Sequence, residues 1–480
     1  MTSSQPAGLR VLQTAKNKAV SFMIRRRLTP LLLFVLDLAC VVAVFNIIGW
    51  ARGTPSPGGW HDPSLLGPFA VLVFVIHLID GYSSRTDMLS LAYTSQHAIA
   101  LIAAMLVMLL ITFVFIKDEY SLQSSRAVIV VAFITLIPLT LGYRRWLTLH
   151  RAGAHNRRSI VFVGSEASCL GFRDTCETNH LQQEVLYVAT DVDPRESASP
   201  FGGLELHAVP QLFTLVDRLG GKVEAIVLHE SSRDLPFAVS QKLMELHFAG
   251  VSTYTLELFH EVYWRKIPLT GLNQTWLFQE GFQIARDPVF ARLKRIMDIL
   301  LAALGMVLFS PLLLLSALAV WICDRGPVFF AQTRIGKNGV PFQILKFRTM
   351  RTSVAAGDVY TQKNDPRITF VGRFLRATRL DEFPQLWNVL RGDMSLIGPR
   401  AEWDRLVAGY ERDIPCYHFR HLMKPGITGW AQVNYPYGAN IDDTLRKLEY
   451  DLYYIRHFSF TLDASIVLKT IHIMLGGKGR

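Results

Sequence analysis

Charged residues are scarce in this chain of 480: they make up 19%, whereas half of the residues are apolar and 29 are Phe. So oily a composition excludes a disordered chain and an ordinary soluble one, and points to a protein that uses lipid as part of its solvent. Cysteine is equally sparse. The five thiols, Cys40, Cys169, Cys176, Cys323 and Cys416, are scattered, odd in number and never spaced C-x-x-C, so neither a disulfide framework nor a zinc site is expected. A cleavable export signal is missing too. The first apolar run starts only near Pro30 and has no small-residue cleavage pattern after it, which suits a retained anchor. Acidic residues number 39 against 50 Lys and Arg, a formal charge of +11. In a chain with long apolar spans that excess is read as meeting anionic lipid headgroups and phosphate substrates, with no nucleic acid as partner. The length implies two or three folding units.

Four apolar segments, at 30–50, 65–82, 98–116 and 127–143, approach the roughly 20 residues that a helix needs to cross a bilayer. The second and fourth are the shortest. Lys16, Lys18, Arg25, Arg26 and Arg27 precede the first segment, and Arg144, Arg145, Arg151, Arg157 and Arg158 follow the fourth. The positive-inside rule therefore puts both ends in the cytoplasm, in agreement with an even number of spans. Asp37, His77 and Asp80 are read as facing the bundle or the interface rather than as a polar pathway. Residues 1–150 are thus expected to be a bundle of four transmembrane helices.

Residues 151–285 change rhythm. SIVFVG (159–164), VLYVAT (185–190), VEAIVLH (223–229) and VSTYTL (251–256) alternate with helix-like stretches, the pattern of an α/β layer with a parallel sheet. A dinucleotide site needs G-x-G-x-x-G after the first strand, and only Gly164 and Gly171 are present. The reading is a Rossmann-like domain with a structural or regulatory task.

The fifth apolar segment, 299–323, has 25 uncharged residues with Ser310-Pro311 near its middle and basic residues on both flanks: Arg292, Lys294 and Arg295 before, Arg325, Arg334 and Lys337 after. Positive charge on both sides resists crossing. A proline-broken helix that enters and returns on one face satisfies both facts, with a serine hydroxyl bonding the freed carbonyl. The alternative is a kinked fifth span. Residues 324–480 then carry 23 Lys/Arg against 15 Asp/Glu, a net of +8, so a basic domain is expected at headgroup level.

Function-bearing residues are densest at 367–400. Asp381-Glu382 follow the basic stretch of Arg373, Arg376 and Arg379 and precede Phe383-Pro384, which predicts a helix start. An acidic pair there is ordinarily a cap. Here Arg367, Arg373, Arg376, Arg379 and Arg400 surround it, so the pair suits a hard cation such as Mg2+ and a nucleophilic oxygen directed at phosphorus. ILKFRTM (344–350) reads as a strand with Lys346 and Arg348 on one face. GPR (398–400) is a turn that aims Arg400, and KPGITGW (424–430) is a glycine-punctuated loop. Asp451 and Asp463 are minor candidates as cation or base partners.

In order, the Ser310-Pro311 break, KFRTM, LDEFPQLWNVLRGDMSLIGPR, KPGITGWAQVN and YDLYYI (450–455) resemble the bacterial sugar transferases that act as monotopic polyprenyl-phosphate phosphoglycosyl transferases. The likeness covers about 292–480. The preceding part looks like the larger, exopolysaccharide-initiating members, which resemble undecaprenyl-phosphate glucose phosphotransferases and carry four membrane helices and a Rossmann-like domain. The resemblance implies a mainly helical catalytic domain at 290–480 with a re-entrant helix at 295–323, multi-pass in the bacterial cytoplasmic membrane with the catalytic domain on its cytoplasmic face. It further implies Asp381 as the nucleophile toward the sugar-linked phosphorus of a UDP-sugar, with Glu382 assisting through Mg2+ or by handling the acceptor's proton; the reading of Lys346, Arg348, Arg367, Arg379 and Arg400 as phosphate and nucleotide ligands agrees with that picture. UMP would leave, and undecaprenyl phosphate would take the sugar phosphate, beginning an exopolysaccharide or capsule unit that downstream glycosyltransferases extend. Glucose is the first expectation for the sugar and galactose the next. A homodimer is plausible by family. DEFPQL replaces the usual DELPQL, and YPYGANIDD follows KPGITGWAQVN where short members have Asn-Gly-Arg. Two other readings are a non-catalytic assembly scaffold, against which the intact acidic pair argues, and a membrane-anchored dehydratase or epimerase. The second needs Tyr-x-x-x-Lys, and Tyr263 to Lys266 is one residue short.

Overall fold

The computed structural model describes residues 30–53, 60, 62–83, 86, 88–115, 126–155, 159–179, 181, 183–191, 200–201, 204–219, 223–229, 235–248, 251–269, 288–351, 365, 367–435 and 440–475. Lys16, Lys18, Arg25, Arg26, Arg27, Arg157 and Arg158, on which the expected orientation rests, lie outside them. The chain divides into two compact units, Met1–Trp264 and Arg265–Arg480.

In the first unit the apolar segments form α1 (Pro30–Ala51), α2 (Leu66–Leu78), α3 (Leu91–Phe115) and α4 (Arg126–His155). Three of them, α1, α3 and α4, are long and apolar enough to cross a membrane. The second is shorter than the sequence suggests. A turn at Pro63–Leu65, capped by Asp62, opens it, and the chain leaves the helix at Ile79, with Asp80 in the left-handed region. The fourth is longer than expected and takes in Arg144 and Arg145. Arg144 is fully buried, its guanidinium bonded to both oxygens of fully buried Asp37 at 2.9 and 2.6 Å. Tyr82 and Tyr143 also donate to that carboxylate. Asp37 is therefore buried against α4 and paired with Arg144 rather than left as an isolated polar group.

The α/β layer follows: β1 (Ser159–Gly164), α5 (Glu166–Thr178), β2 (Glu184–Ala189), β3 (Pro200–Phe201), β4 (Leu204–Ala208), α6 (Leu212–Leu219), β5 (Val223–Leu228), α7 (Phe237–Phe248), β6 (Ser252–Thr255) and α8 (Leu256–Phe259). The sheet order is β3-β4-β2-β1-β5-β6, parallel except at β3. Every residue of β1 is buried, as the continuous apolar run SIVFVG requires of a strand covered on both faces. Tyr263 donates to Glu224 at 3.0 Å, and Lys266 pairs with Glu449 at 3.0 Å, so neither serves a Tyr-Lys catalytic pair.

The second unit begins with a short extended segment. Ile267 and Leu269 enter its core, Ile267 N–H donates to the Glu449 carbonyl, and the Arg265 carbonyl accepts from the Trp430 indole at 2.9 Å. Next come α9 (Pro288–Leu308) and α10 (Ser310–Asp324), bent by 63° at the Ser310-Pro311 break. Pro311 has no N–H to give the Val307 carbonyl, and the Ser310 hydroxyl donates to that oxygen instead, at 2.8 Å. The remaining elements are the hairpin β7 (Phe329–Ile335) and β8 (Pro341–Phe347), α11 (Phe370–Thr378), α12 (Gln385–Arg391), β9 (Ser395–Ile397), α13 (Asp404–Asp413), β10 (Gly426–Thr428), α14 (Trp430–Asn434), α15 (Ile441–Arg456) and α16 (Phe460–Leu475). The unit is mainly helical. Its largest apolar cluster joins Trp430, Leu448, Leu452, Tyr454 and Ile466 with Ile267.

Candidate active site

Asp381 and Glu382 occupy a single 3-10 turn, Leu380–Glu382, between α11 and α12. The turn exists because Arg379 ends α11 in the left-handed conformation, with its N–H on the Arg376 carbonyl, and Pro384 then allows α12 to start. The expected helix start is thus one turn early. Both carboxylates are buried, at 9 and 8% exposure, but their surroundings differ. Glu382 Oε1 accepts from Lys346 Nζ and from Arg400 Nη2, each at 3.0 Å, with the Arg379 guanidinium 3.9 Å away. Burial alone would raise this carboxyl; Arg400, Lys346 and Arg379 outweigh it and hold it far below the usual range. Asp381 Oδ1 is buried without a hydrogen-bond partner among the described residues. Burial, followed by the charge of Glu382, pushes its carboxyl up against the opposing pull of Lys346, Arg376 and Arg379. One acid is locked and ionised while its neighbour is held in reserve.

The lock is built from distant segments. Lys346 comes from β8, and burial pulls its amine down while Glu382 pulls it up. Its strand is fixed to α12 by Asn388, which donates to the Gln343 carbonyl at 2.7 Å and accepts from Leu345 N–H at 3.0 Å. Arg400 follows Gly398-Pro399, where the backbone meets β10 closely: a methyl at Gly398 would overlap the Lys424 carbonyl oxygen, and one at Gly426 would overlap the Gly398 amide. The GPR and KPG glycines are thus required by backbone contact. β9 and β10 pair in parallel beside them.

The apolar helix pair reaches the same turn. Phe309, at the bend, packs edge-on against Phe383 with centroids 5.1 Å apart, so the aromatic that follows the acidic pair has a specific partner. Lys294 pairs with Asp463 at 2.6 Å, Arg295 donates to the Val389 and Leu390 carbonyls that end α12, and Asp298 accepts from Ser395 and Leu396. These residues join α9 to the unit.

The other expected site residues meet partners within the unit. β8 ends at Phe347, and Arg348 just beyond it is buried against Gly326, its N–H on the Val328 carbonyl. Arg367 forms a two-pronged pair with Asp365, at 2.9 and 2.6 Å, and those bonds hold the Asp365 carboxyl down at about 2. Asp451 is buried against Arg420 at 2.9 Å, and Asp463 is held by Lys294 and by the Tyr454 hydroxyl at 2.6 Å. Both aspartates are thus held by buried cations or hydroxyls of other elements. Among the described residues no group of three or more His, Cys, Asp or Glu could hold a metal ion. Asn388 and Arg420 went unnoticed in the sequence; a lone polar residue between apolar neighbours, as in LWNVL, is the signal that could have found Asn388.

The family model described as bacterial sugar transferase matches residues 289–477, which contain the acidic turn and all of its partners named above. A UDP-N-acetylgalactosamine-undecaprenyl-phosphate N-acetylgalactosaminephosphotransferase of Aeromonas hydrophila is 39% identical over 292 residues, 60% of this chain and 68% of that protein. UDP-glucose:undecaprenyl-phosphate glucose-1-phosphate transferases of Klebsiella pneumoniae and Caulobacter vibrioides are 45 and 46% identical. The first comparison spans 66% of this chain and 68% of its relative, the second 44 and 79%. The chain belongs to the bacterial sugar transferase family and is a transferase enzyme.

Proposed function

We propose that the protein transfers a sugar 1-phosphate, glucose 1-phosphate by first preference, from a UDP-sugar to undecaprenyl phosphate and so begins a polysaccharide repeat unit. The observation that carries the reading is the division of labour in the acidic turn: Glu382 saturated by Lys346 and Arg400, Asp381 Oδ1 without a partner. An Asp381 oxygen attacks the sugar-linked phosphorus. The bond from that phosphorus to the bridging oxygen breaks, UMP leaves with the oxygen, and a phospho-sugar remains on the carboxylate. An oxygen of undecaprenyl phosphate then attacks the same phosphorus and releases Asp381. Because Glu382 stays ionised, it keeps Lys346 and Arg400 charged and oriented, ready to take up the charge on the transferring phosphate.

Of these donors, the Asp381 oxygen that has no partner among the described residues is the one that would hold a Mg2+, whereas Glu382 Oε1 is already taken by two cations. Such an ion would neutralise phosphate charge.

The membrane reading keeps all four N-terminal helices as a bundle and makes α9–α10 re-entrant from the cytoplasmic face of the inner membrane, where nucleotide sugars are found. Two features support it. Leu304, Val307, Leu308, Leu314, Leu315 and Leu318 expose an apolar surface for lipid to cover. The start of α9 and the later part of α10 both pack on the same unit, through Asp298 to Ser395 and through Val320 in the cluster with Phe347 and Leu375. A single crossing would separate them by a bilayer.

The test is UMP release by the detergent-purified protein with Mg2+ and undecaprenyl phosphate, across UDP-glucose, UDP-galactose, UDP-N-acetylglucosamine and UDP-N-acetylgalactosamine. Lipid-dependent release with UDP-glucose is expected. Release with another member of the panel would reassign the sugar, and silence of folded protein with all four would contradict the reading.

A further inference from the structure

We propose that Arg420 is a positioning residue for sugar-phosphate transfer, acting through the main chain of Arg400; the inference rests on the reading of the acidic turn given above. Arg420 lies in the turn Tyr417–Leu422 and is 5% exposed, far from solvent for a guanidinium. Its donors are spread over four groups. Nη2 contacts Asp451 Oδ2 at 2.9 Å and the Arg400 carbonyl at 2.9 Å, while Nη1 donates to the Tyr417 oxygen at 2.6 Å and lies 3.7 Å from Glu402 Oε1. Asp451 stands on α15 and Glu402 two residues beyond Arg400, so one side chain ties together α15, the Tyr417 turn and the chain that leaves Arg400.

The geometry explains why a buried arginine is present at a site where an apolar residue would pack at lower electrostatic cost. Two carboxylates offset its charge, and the bond left over goes to the one carbonyl that belongs to a residue of the lock. Arg400 Nη2 reaches Glu382 Oε1 at 3.0 Å. A shift of its main chain by even about 1 Å would break that bond and misplace the phosphate contact, a displacement of the size that costs transfer rates heavily. Gly426 N–H, which donates to the Pro399 carbonyl at 2.9 Å, holds the preceding peptide. Arg420 holds the next one. Lysine keeps the charge but not the planar fork, so it cannot serve Asp451, Tyr417 and the Arg400 carbonyl together.

The experiment uses the full-length, detergent-purified protein and compares Arg420→Lys, Arg400→Lys and the double variant in kcat, in KM for the UDP-sugar and for undecaprenyl phosphate, and in thermal midpoint. Arg420→Lys is expected to lower kcat by about tenfold or more while KM for the lipid stays within about twofold. In the Arg400→Lys background the same change is expected to cost less than about twofold in kcat while still lowering the thermal midpoint. Equal losses in the two backgrounds would overturn the positioning role and leave the reading of the acidic turn standing. An Arg400→Lys variant with unaltered turnover would overturn both. If Arg420→Lys does not fold, Asp451→Asn, which keeps volume and an acceptor, takes its place in the cycle with the same pattern expected and the same outcomes against it.

Discussion

Replacing each carboxylate of the acidic turn by its amide should move stability in opposite directions. Glu382→Gln leaves Lys346 and Arg400 charged beside a neutral group. Unpairing a buried ion costs about 3–5 kcal/mol, and because the Arg400 side chain is 33% exposed and the Arg379 side chain 37%, the low end applies, about 3 kcal/mol. For a unit of this size that corresponds to a fall of about 6–12 °C in thermal midpoint. Asp381→Asn removes a buried carboxylate whose Oδ1 has no partner among the described residues, and its midpoint should hold or rise. The pH dependence follows from the same shifts. Glu382 is depressed, so its contribution is present above the carboxyl's unfolded value and is lost as pH falls; the wild type should lose stability on acidification more steeply than Glu382→Gln. Asp381 is raised, so its contribution is fully present below the unfolded value and is lost as pH rises through the folded one, which is why the amide gains at neutral pH. Thermal unfolding followed by tryptophan fluorescence between pH 2 and 8, on the full chain in detergent, reads both. Equal destabilisation by the two amides would refute the division of labour.

Three further outcomes are expected. A fragment starting at Arg265 should fold and retain some UMP release, whereas one starting at 281 should not: it loses Ile267 and Leu269, each worth about 2–5 kcal/mol in a core, and strips Lys266 from buried Glu449. Equal thermal midpoints for the two fragments would dismiss that role for the segment. Arg144→Met should cost about 3–5 kcal/mol by orphaning Asp37, and adding Asp37→Leu should recover most of it; a purely additive double variant, measured by thermal midpoint, would mean that the pair is not coupled. Pro311→Ala restores an N–H for the Val307 carbonyl and should straighten the bend toward a spanning helix. With the other four cysteines replaced by serine, exposed Cys323 should take up an impermeant maleimide from the cytoplasmic side in the wild type and lose that labelling in Pro311→Ala. Unchanged labelling would reject this account of the break.

Local pattern explains most of what the sequence revealed. SIVFVG is a strand because an unbroken run of β-formers buries on both faces, and the observed β1 has those bounds. Ser310-Pro311 bends its helix because proline's missing N–H acts within one turn. The acidic pair was legible from the density of arginine around it. What stayed hidden depends on distance along the chain: Arg420 meets Arg400 twenty residues away and Asp451 thirty-one away, and Asn388 meets Gln343 across forty-five. Nor does composition tell which partner a charged group finds. Arg367, expected at phosphate, pairs with Asp365 two residues before it. Arg144, counted in the basic flank of the fourth segment, meets Asp37, 107 residues earlier.

The central claim, that Asp381 carries the sugar phosphate between donor and acceptor, is tested most directly by a single turnover without lipid. Purified protein mixed with the preferred UDP-sugar and Mg2+ should release close to one UMP per chain, and the peptide containing Asp381 should gain the mass of a sugar phosphate, which undecaprenyl phosphate then removes. UMP release only when both substrates are present, with no adduct on that peptide, would mean direct transfer and would contradict the claim.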